Sequence, residues 1–282
     1  MEFAEYNMID LHSHILPNIC DGSPDLETSI NMARMAVADG ITHLACTPHI
    51  YPPVYNNSTV TISAAMQALQ AELDRLEIPL KLMIGADVHL LQETMQGLKN
   101  GTVPTLNNSR YFLLEPSHHV PVNNFLDHIE NFINAGYVPI ITHPERLKWI
   151  ESHFKEFIEA AKLGAWLQLT AGAITGHFGR TAKKYAERFL QEGYVHILAT
   201  DSHGVDNRPA ILSEGKKAAE QIVGADEAEH LVYTRPQAII NNSEPEQVVK
   251  PRALTTGLAH ISQHSSRAKS EKSQSWLKRW FN

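Results

Sequence analysis

The sequence predicts an α/β fold in which a parallel sheet closes, or nearly closes, into a seven-unit barrel with a metal site at the C-terminal ends of its strands. Three observations lead there. Short apolar, β-rich runs alternate with helical stretches along most of the chain, the order that builds parallel sheets. No Gly-x-Gly-x-x-Gly follows a strand, so the runner-up, an open doubly wound sheet, lacks its phosphate loop. All the predicted strands except the sixth end in His, Asp or Glu.

The first strand, residues 8–11, runs into Asp-Leu-His-Ser-His. Side chains alternate along a strand, so His12 and His14 share one face; Asp10 precedes them and Asp21 follows in the next loop. Asp25 opens a helix over 25–39 that Gly40 closes. The second strand, 43–47, ends in Thr-Pro-His with His49, and a helix over 60–77 follows. The third, 81–88, delivers Asp87 and His89; the fourth, 111–115, delivers Glu115. A helix over 123–135 stops at Gly136, and the fifth strand, 138–143, leads into Thr-His-Pro-Glu-Arg with His143, Glu145 and Arg146. A helix over 153–163 stops at Gly164 before the sixth strand, 166–171; another over 178–192 stops at Gly193 before the seventh, 196–200. That last strand runs into Asp201 and His203, with Arg208 just ahead of a helix over 209–223 that begins on Pro209.

At 282 residues, 43% hydrophobic and 20% charged, the composition is that of a soluble globular protein long enough for one catalytic barrel and a tail. The barrel is expected over 1–243. A basic, Ser-rich and flexible tail is expected over 244–282, ending in Ser-Trp-Leu-Lys-Arg-Trp-Phe-Asn, a mixture suited to peripheral contact with a membrane or a partner. A net charge of −7 argues against a nucleic-acid partner gripped by a broadly basic surface. No run nears the roughly 18 apolar residues of a membrane span, and the N-terminus lacks a signal peptide, which points to the cytoplasm. Cys20 and Cys46 form no Cys-x-x-Cys pair. With Leu26 and Pro52 six residues downstream of them, the Cys-x5-Arg loop of thiol-dependent phosphatases is absent too.

A single His near a strand end is ordinarily a hydrogen-bonded structural residue. Six strand ends at one barrel mouth change that balance, because buried His, Asp and Glu in such numbers need compensating positive charge. Imidazole and carboxylate without thiolate suit Mn, Fe or Zn, and the carboxylates favour the harder ions.

These motifs resemble, in order and approximate spacing over residues 8–242, the polymerase and histidinol phosphatase (PHP) superfamily. The chain is most similar to its bacterial manganese-dependent protein-tyrosine phosphatases of capsular and exopolysaccharide synthesis. The more specific signatures are His-Pro-Glu-Arg and Asp-x-His-x4-Arg-Pro. The resemblance implies a distorted (β/α)7 TIM-like barrel carrying up to three ions, Mn2+ first, with Fe or Zn as alternatives. His12, His14, Asp87 and Asp201 would hold one ion, Asp87, Glu115 and His143 the second, and Asp21, His49 and His203 the third. Arg146 and Arg208 would bind phosphate. The family typically has Glu where this chain has Asp87, a side chain shorter by one methylene, which bears on bridging.

The resemblance further implies hydrolysis of phosphotyrosine by attack of metal-bound hydroxide, on a bacterial tyrosine kinase that regulates polysaccharide export. Asp10 and Glu145 are expected to orient ligating imidazoles. His89, His118 and His177 are candidate proton donors, although a phenolate with a pKa near 10 leaves with little help. Two alternatives stay open: a PHP phosphoesterase for a small molecule such as histidinol phosphate, and an inactive metal-containing module that docks on a kinase.

Overall fold

The computed structural model describes residues 7–255. Its strands are β1 (Met8–Ser13), β2 (Ile41–Cys46), β3 (His49–Ile50), β4 (Lys81–Ile84), β5 (Asp87–His89), β6 (Tyr111–Glu115), β7 (Val138–Thr142), β8 (Trp166–Thr170) and β9 (Ile197–Ala199). Every pairing between them is parallel. Two-residue breaks at Thr47–Pro48 and Gly85–Ala86 divide β2 from β3 and β4 from β5, so the segments make seven staves, as the sequence predicts. The β1-β2-β4 and β3-β5-β6-β7-β8-β9 sheets join where Ser13 bridges Ser202. There His14 N donates to Ser202 O and Asp201 N to His12 O, both at 2.8 Å, and the barrel closes.

Helices α1 (Leu26–Ala38), α2 (Thr59–Arg75), α3 (Thr94–Asn100), α4 (Phe125–Asn134), α5 (Ile150–Leu163), α6 (Ala171–Thr175), α7 (Gly179–Glu192), α8 (Ser213–Val223), α9 (Ala225–Glu229) and α10 (Arg235–Ile240) complete the described residues, with a π turn over His230–Thr234. Local signals set several ends. Asp25 accepts the Thr28 amide at the start of α1, Ser58 and Thr61 form a capping box on α2, and α5 and α7 stop at Gly164 and Gly193 in the left-handed region. The expected 209–223 helix starts later, at Ser213, because Asp39 reaches across from the end of α1 and accepts the Leu212 and Ser213 amides at 2.6 and 2.9 Å.

Alternation along the strands separates two apolar shells. Phe112, Leu114, Ile141, Leu167 and Leu198 face the helices. Ile9, Leu11, Met83, Tyr111, Leu113, Ile140, Trp166 and Ile197 fill the barrel interior, with Ile239 of α10 and Val248 closing its lower end. Towards the upper end the inward positions change character, to Glu115, Thr142, Gln168 and Thr170, all buried. An apolar floor under a polar ceiling places the chemistry at the strand C-termini.

Residues just past the expected boundary at 243 pack against the barrel. The fully buried Arg235 donates to the Val249 carbonyl at 2.8 Å and pairs with Glu227, Arg252 donates to Gln191 O, and Ala253 N donates to Gly193 O. These contacts hold 244–255 against the barrel, which composition alone does not show. The Trp- and Arg-containing terminus, 275–282, lies outside the described residues. Among the described residues no helix is long and apolar enough to cross a membrane.

Candidate metal centre

All nine expected ligand positions meet at the mouth. His12 Nε2 stands 3.3 Å from His14 Nε2, 3.2 Å from Asp201 Oδ1 and 3.4 Å from Asp87 Oδ2. The His-x-His spacing achieves this because Ser13, between them, turns away to the Ala45 carbonyl. Asp87 Oδ2 also lies 3.4 Å from His49 Nδ1 and 3.9 Å from His143 Nε2, so despite its shorter side chain it faces three imidazoles. His143 Nε2 is 3.7 Å from Glu115 Oε1. At the rim, half-exposed Asp21 puts Oδ1 3.5 Å from His49 Nε2, 3.4 Å from His203 Nε2 and 3.8 Å from His14 Nδ1.

His143 (φ 35°) and Asp201 (φ 51°) both adopt the left-handed backbone at a strand exit, a conformation uncommon outside glycine. The bend after His143 opens a 3-10 turn, Pro144–Arg146, that returns Arg146 to the site. Arg146 Nη1 and Arg208 Nη2 both bond Asp201 Oδ2, leaving Oδ1 to the imidazoles. The Phe178 ring lies under both guanidiniums, 4.3 Å from Arg146 and 5.8 Å from Arg208.

Neighbouring imidazoles and guanidiniums hold the carboxylates of this cavity ionised. Burial alone would raise the Asp201 carboxyl, but His12, Arg208 and Arg146 hold it well below the usual range. Asp87 and Glu115 are likewise depressed against burial, each by the imidazoles around it. Burial disfavours the His12 imidazolium, yet Asp201 and Asp87 push its pKa up to about 9; Asp87 and Glu115 push His49 to about 12. Burial keeps His14 and His143 neutral, helped by His203 and His49 for the first and by Arg146 for the second.

The residues fit divalent cations. Buried His49 Nδ1, Asp87 Oδ2, Glu115 Oε2, Asp201 Oδ1 and His203 Nε2 have no hydrogen-bond partner, although each faces other donor atoms of the cluster. Groups of three or four such atoms lie within 4.8 Å of one another, among them His14, Asp21, His49 and His203, and His12, His143 and Asp201. Oxygen and nitrogen donors without thiolate suit Mn, Fe or Zn.

Several residues sit differently from expectation. Asp10 orients no imidazole ring: its carboxylate takes the Thr200 amide at 3.1 Å and the Thr200 hydroxyl, tying β1 to the end of β9. Glu145 takes the Thr170 amide at 2.8 Å and ties the 3-10 turn to β8. Burial lifts both carboxyls, to about 6 and about 7. Gln168 of the sixth stave, read as ligand-free, supplies what Asp10 does not: its Oε1 lies 2.9 Å from His12 Nδ1. A Gln inside an otherwise apolar strand was the signal. His89 and His118 join the cluster through Glu115, at 2.6 and 3.1 Å. The period-two argument applied to His12 and His14 also links Asp87 to His89. His177, exposed just past the end of α6, makes no contact with the imidazole and carboxylate groups above but lines a cavity with Phe178 and Arg208.

Residues 8–241 match the family described as "Capsular polysaccharide synthesis, CpsB/CapC". The tyrosine-protein phosphatase YwqE of Bacillus subtilis (strain 168) is 32% identical over 253 residues, 88% of this chain and 98% of YwqE. The putative tyrosine-protein phosphatase CapC of Staphylococcus aureus is 30% identical over 210 residues, 73% of this chain and 81% of CapC. A crystal structure from work on YwqE and Streptococcus pneumoniae CpsB, described as unique metal-dependent tyrosine phosphatases, superposes with a TM-score of 0.80 at 30% identity, covering 86% of this chain and all of that one. The phosphotriesterase homology protein of Escherichia coli, at 8% identity and a TM-score of 0.53 over 85% of this chain, shares the fold alone.

Proposed function

Because the chain belongs to the CpsB/CapC family of capsular polysaccharide synthesis, we propose that it is a metal-dependent protein-tyrosine phosphatase acting on a phosphotyrosine protein in that process. The observation that carries this reading is Asp201, which joins a cation-seeking cluster to a phosphate-seeking one. One of its oxygens faces His12 and His14, and the other holds Arg146 and Arg208.

His12, His14, Asp87 and Asp201 would hold one ion, Asp87, Glu115 and His143 a second, and Asp21, His49 and His203 a third. Ions bound there supply an acidic water and positive charge against phosphoryl oxygens. The protein does the positioning. Arg146 and Arg208 present planar forks matched to a phosphate, and Asp201 with Phe178 keeps them extended before substrate arrives. Gln168 holds the His12 ring, while His89 and His118 hold the Glu115 carboxylate. No side chain needs to protonate the leaving oxygen fully, because a phenol with a pKa near 10 departs readily. The mixed oxygen and nitrogen donors favour Mn2+, and the proposed substrate is a bacterial tyrosine kinase controlling capsule or exopolysaccharide synthesis, reached from the cytoplasm.

Phosphate release from phosphotyrosine peptide, phosphoserine peptide and histidinol phosphate by the Mn2+-loaded protein tests the reading. Preference for phosphotyrosine is expected. Preference for histidinol phosphate would move the function to a small-molecule phosphoesterase.

A further inference from the structure

The turn that follows β3 carries side chains that the phosphoryl site does not use. Tyr51 and Tyr55 close it, with Tyr51 N donating to Tyr55 O at 3.0 Å and Tyr55 N to Tyr51 O at 2.8 Å. Asn57 fastens its exit, donating to His49 O at 2.9 Å and Ile19 O at 2.8 Å. Each phenol rests on an imidazole of the cluster. The Tyr51 ring stacks on His89 with centroids 4.0 Å apart and planes 17° apart, and the Tyr55 ring stacks on His49 at 5.5 Å and 25°. The two imidazoles meet at Glu115. Neither tyrosine joins a hydrophobic core cluster, Tyr51 is 38% exposed, and Val54 between them is 61% exposed. This aromatic, apolar turn is therefore not explained by packing, yet it is fastened directly to the mouth.

We propose that Tyr51 and Tyr55 form an aromatic rim that packs on the phenyl ring of the substrate and makes the site select aryl over alkyl phosphate esters. The inference rests on the phosphatase reading and adds to it the residues that choose the substrate class. Arg146 and Arg208 grip a phosphoryl group common to every phosphomonoester, so they cannot discriminate between esters. Discrimination falls to whatever touches the leaving group. Flat phenols beside the cluster gain contact with an aromatic ring and little with the short methylene of phosphoserine.

The test compares full-length, metal-loaded protein with its Tyr51→Ala, Tyr55→Leu and Tyr51→Phe variants. Two ratios are read: kcat/KM for phosphotyrosine peptide over phosphoserine peptide, and calorimetric affinity for phenylphosphonate over methylphosphonate. Tyr51→Ala and Tyr55→Leu are expected to lower both ratios about three- to tenfold, chiefly through KM, while Tyr51→Phe keeps them within twofold. Ratios unchanged in Tyr51→Ala and Tyr55→Leu overturn the rim, as does an equal loss for both ligands, which marks a structural role. If the parent protein hydrolyses no ester, the phosphatase reading fails, and the phosphonate affinity ratio still decides the rim.

Discussion

Phe178 lies beneath the guanidinium of Arg146, its ring centroid 4.3 Å from the guanidinium carbon, and Arg208 approaches the same ring at 5.8 Å. One aromatic side chain thus supports both arginines. A cation over an aromatic face is worth about 0.5–2 kcal/mol, so Phe178→Leu is expected to weaken inhibition by inorganic phosphate about two- to thirtyfold. Inhibition constants for the two proteins check this. An unchanged constant would mean that Asp201, with Thr170 on Arg146, positions the arginines without the ring.

Gly22 follows the rim carboxylate Asp21 and passes so close to β1 that a Cβ there would lie 2.1 Å from the His14 carbonyl oxygen and 2.4 Å from the His14 Cβ. Both contacts are shorter than atoms tolerate. Gly22→Ala is expected to push the Asp21 loop outward, separating Asp21 from His49 and His203 and lowering the bound metal by up to one ion per chain. Elemental analysis of the dialysed variant reads the outcome.

His12 and His49 have pKa values raised to about 9 and about 12, so without metal both carry protons at neutral pH, whereas a ligating imidazole must give its proton up. Metal loading at pH 7 is expected to release protons, and affinity is expected to fall as pH falls. Titration with Mn2+ in two buffers of different ionisation enthalpy counts the released protons; a count of zero would contradict this account of the cluster.

His196 sits at the opposite end of the barrel, stacked on Trp166 at 4.8 Å and accepting the Leu167 amide through Nδ1 at 3.1 Å. Burial, then Arg235, keeps its pKa well below 6.5 in the folded state. The unfolded chain therefore binds a proton that the folded one refuses. Stability should fall as pH drops below about 6.5, by up to about 1 kcal/mol from this residue between pH 7 and pH 5.5. His196→Asn, which keeps an acceptor for Leu167, should show a shallower loss of melting temperature over that range.

The barrel was legible because its strands are short apolar runs bounded by Gly, Pro and polar residues, and the mouth because alternation carries His12, His14, Asp87, Glu115 and Asp201 to one end. What escaped depends on partners distant in sequence. Asp10 and Glu145 take no imidazole ring but the amide of a threonine, Thr200 just past β9 and Thr170 at the end of β8, which no spacing records. The start of α8 is fixed by Asp39. Helices α3 and α6 are too short to show a period, and α10 carries Pro236 in its first turn.

The most direct test of the central claim is phosphate release from a phosphotyrosine peptide by chelator-stripped protein, before and after resupply of Mn2+, beside Asp201→Asn treated identically. The account predicts negligible release from the stripped protein, recovery with Mn2+, and no recovery in the variant. Full turnover by the stripped protein, or by Asp201→Asn, would contradict it.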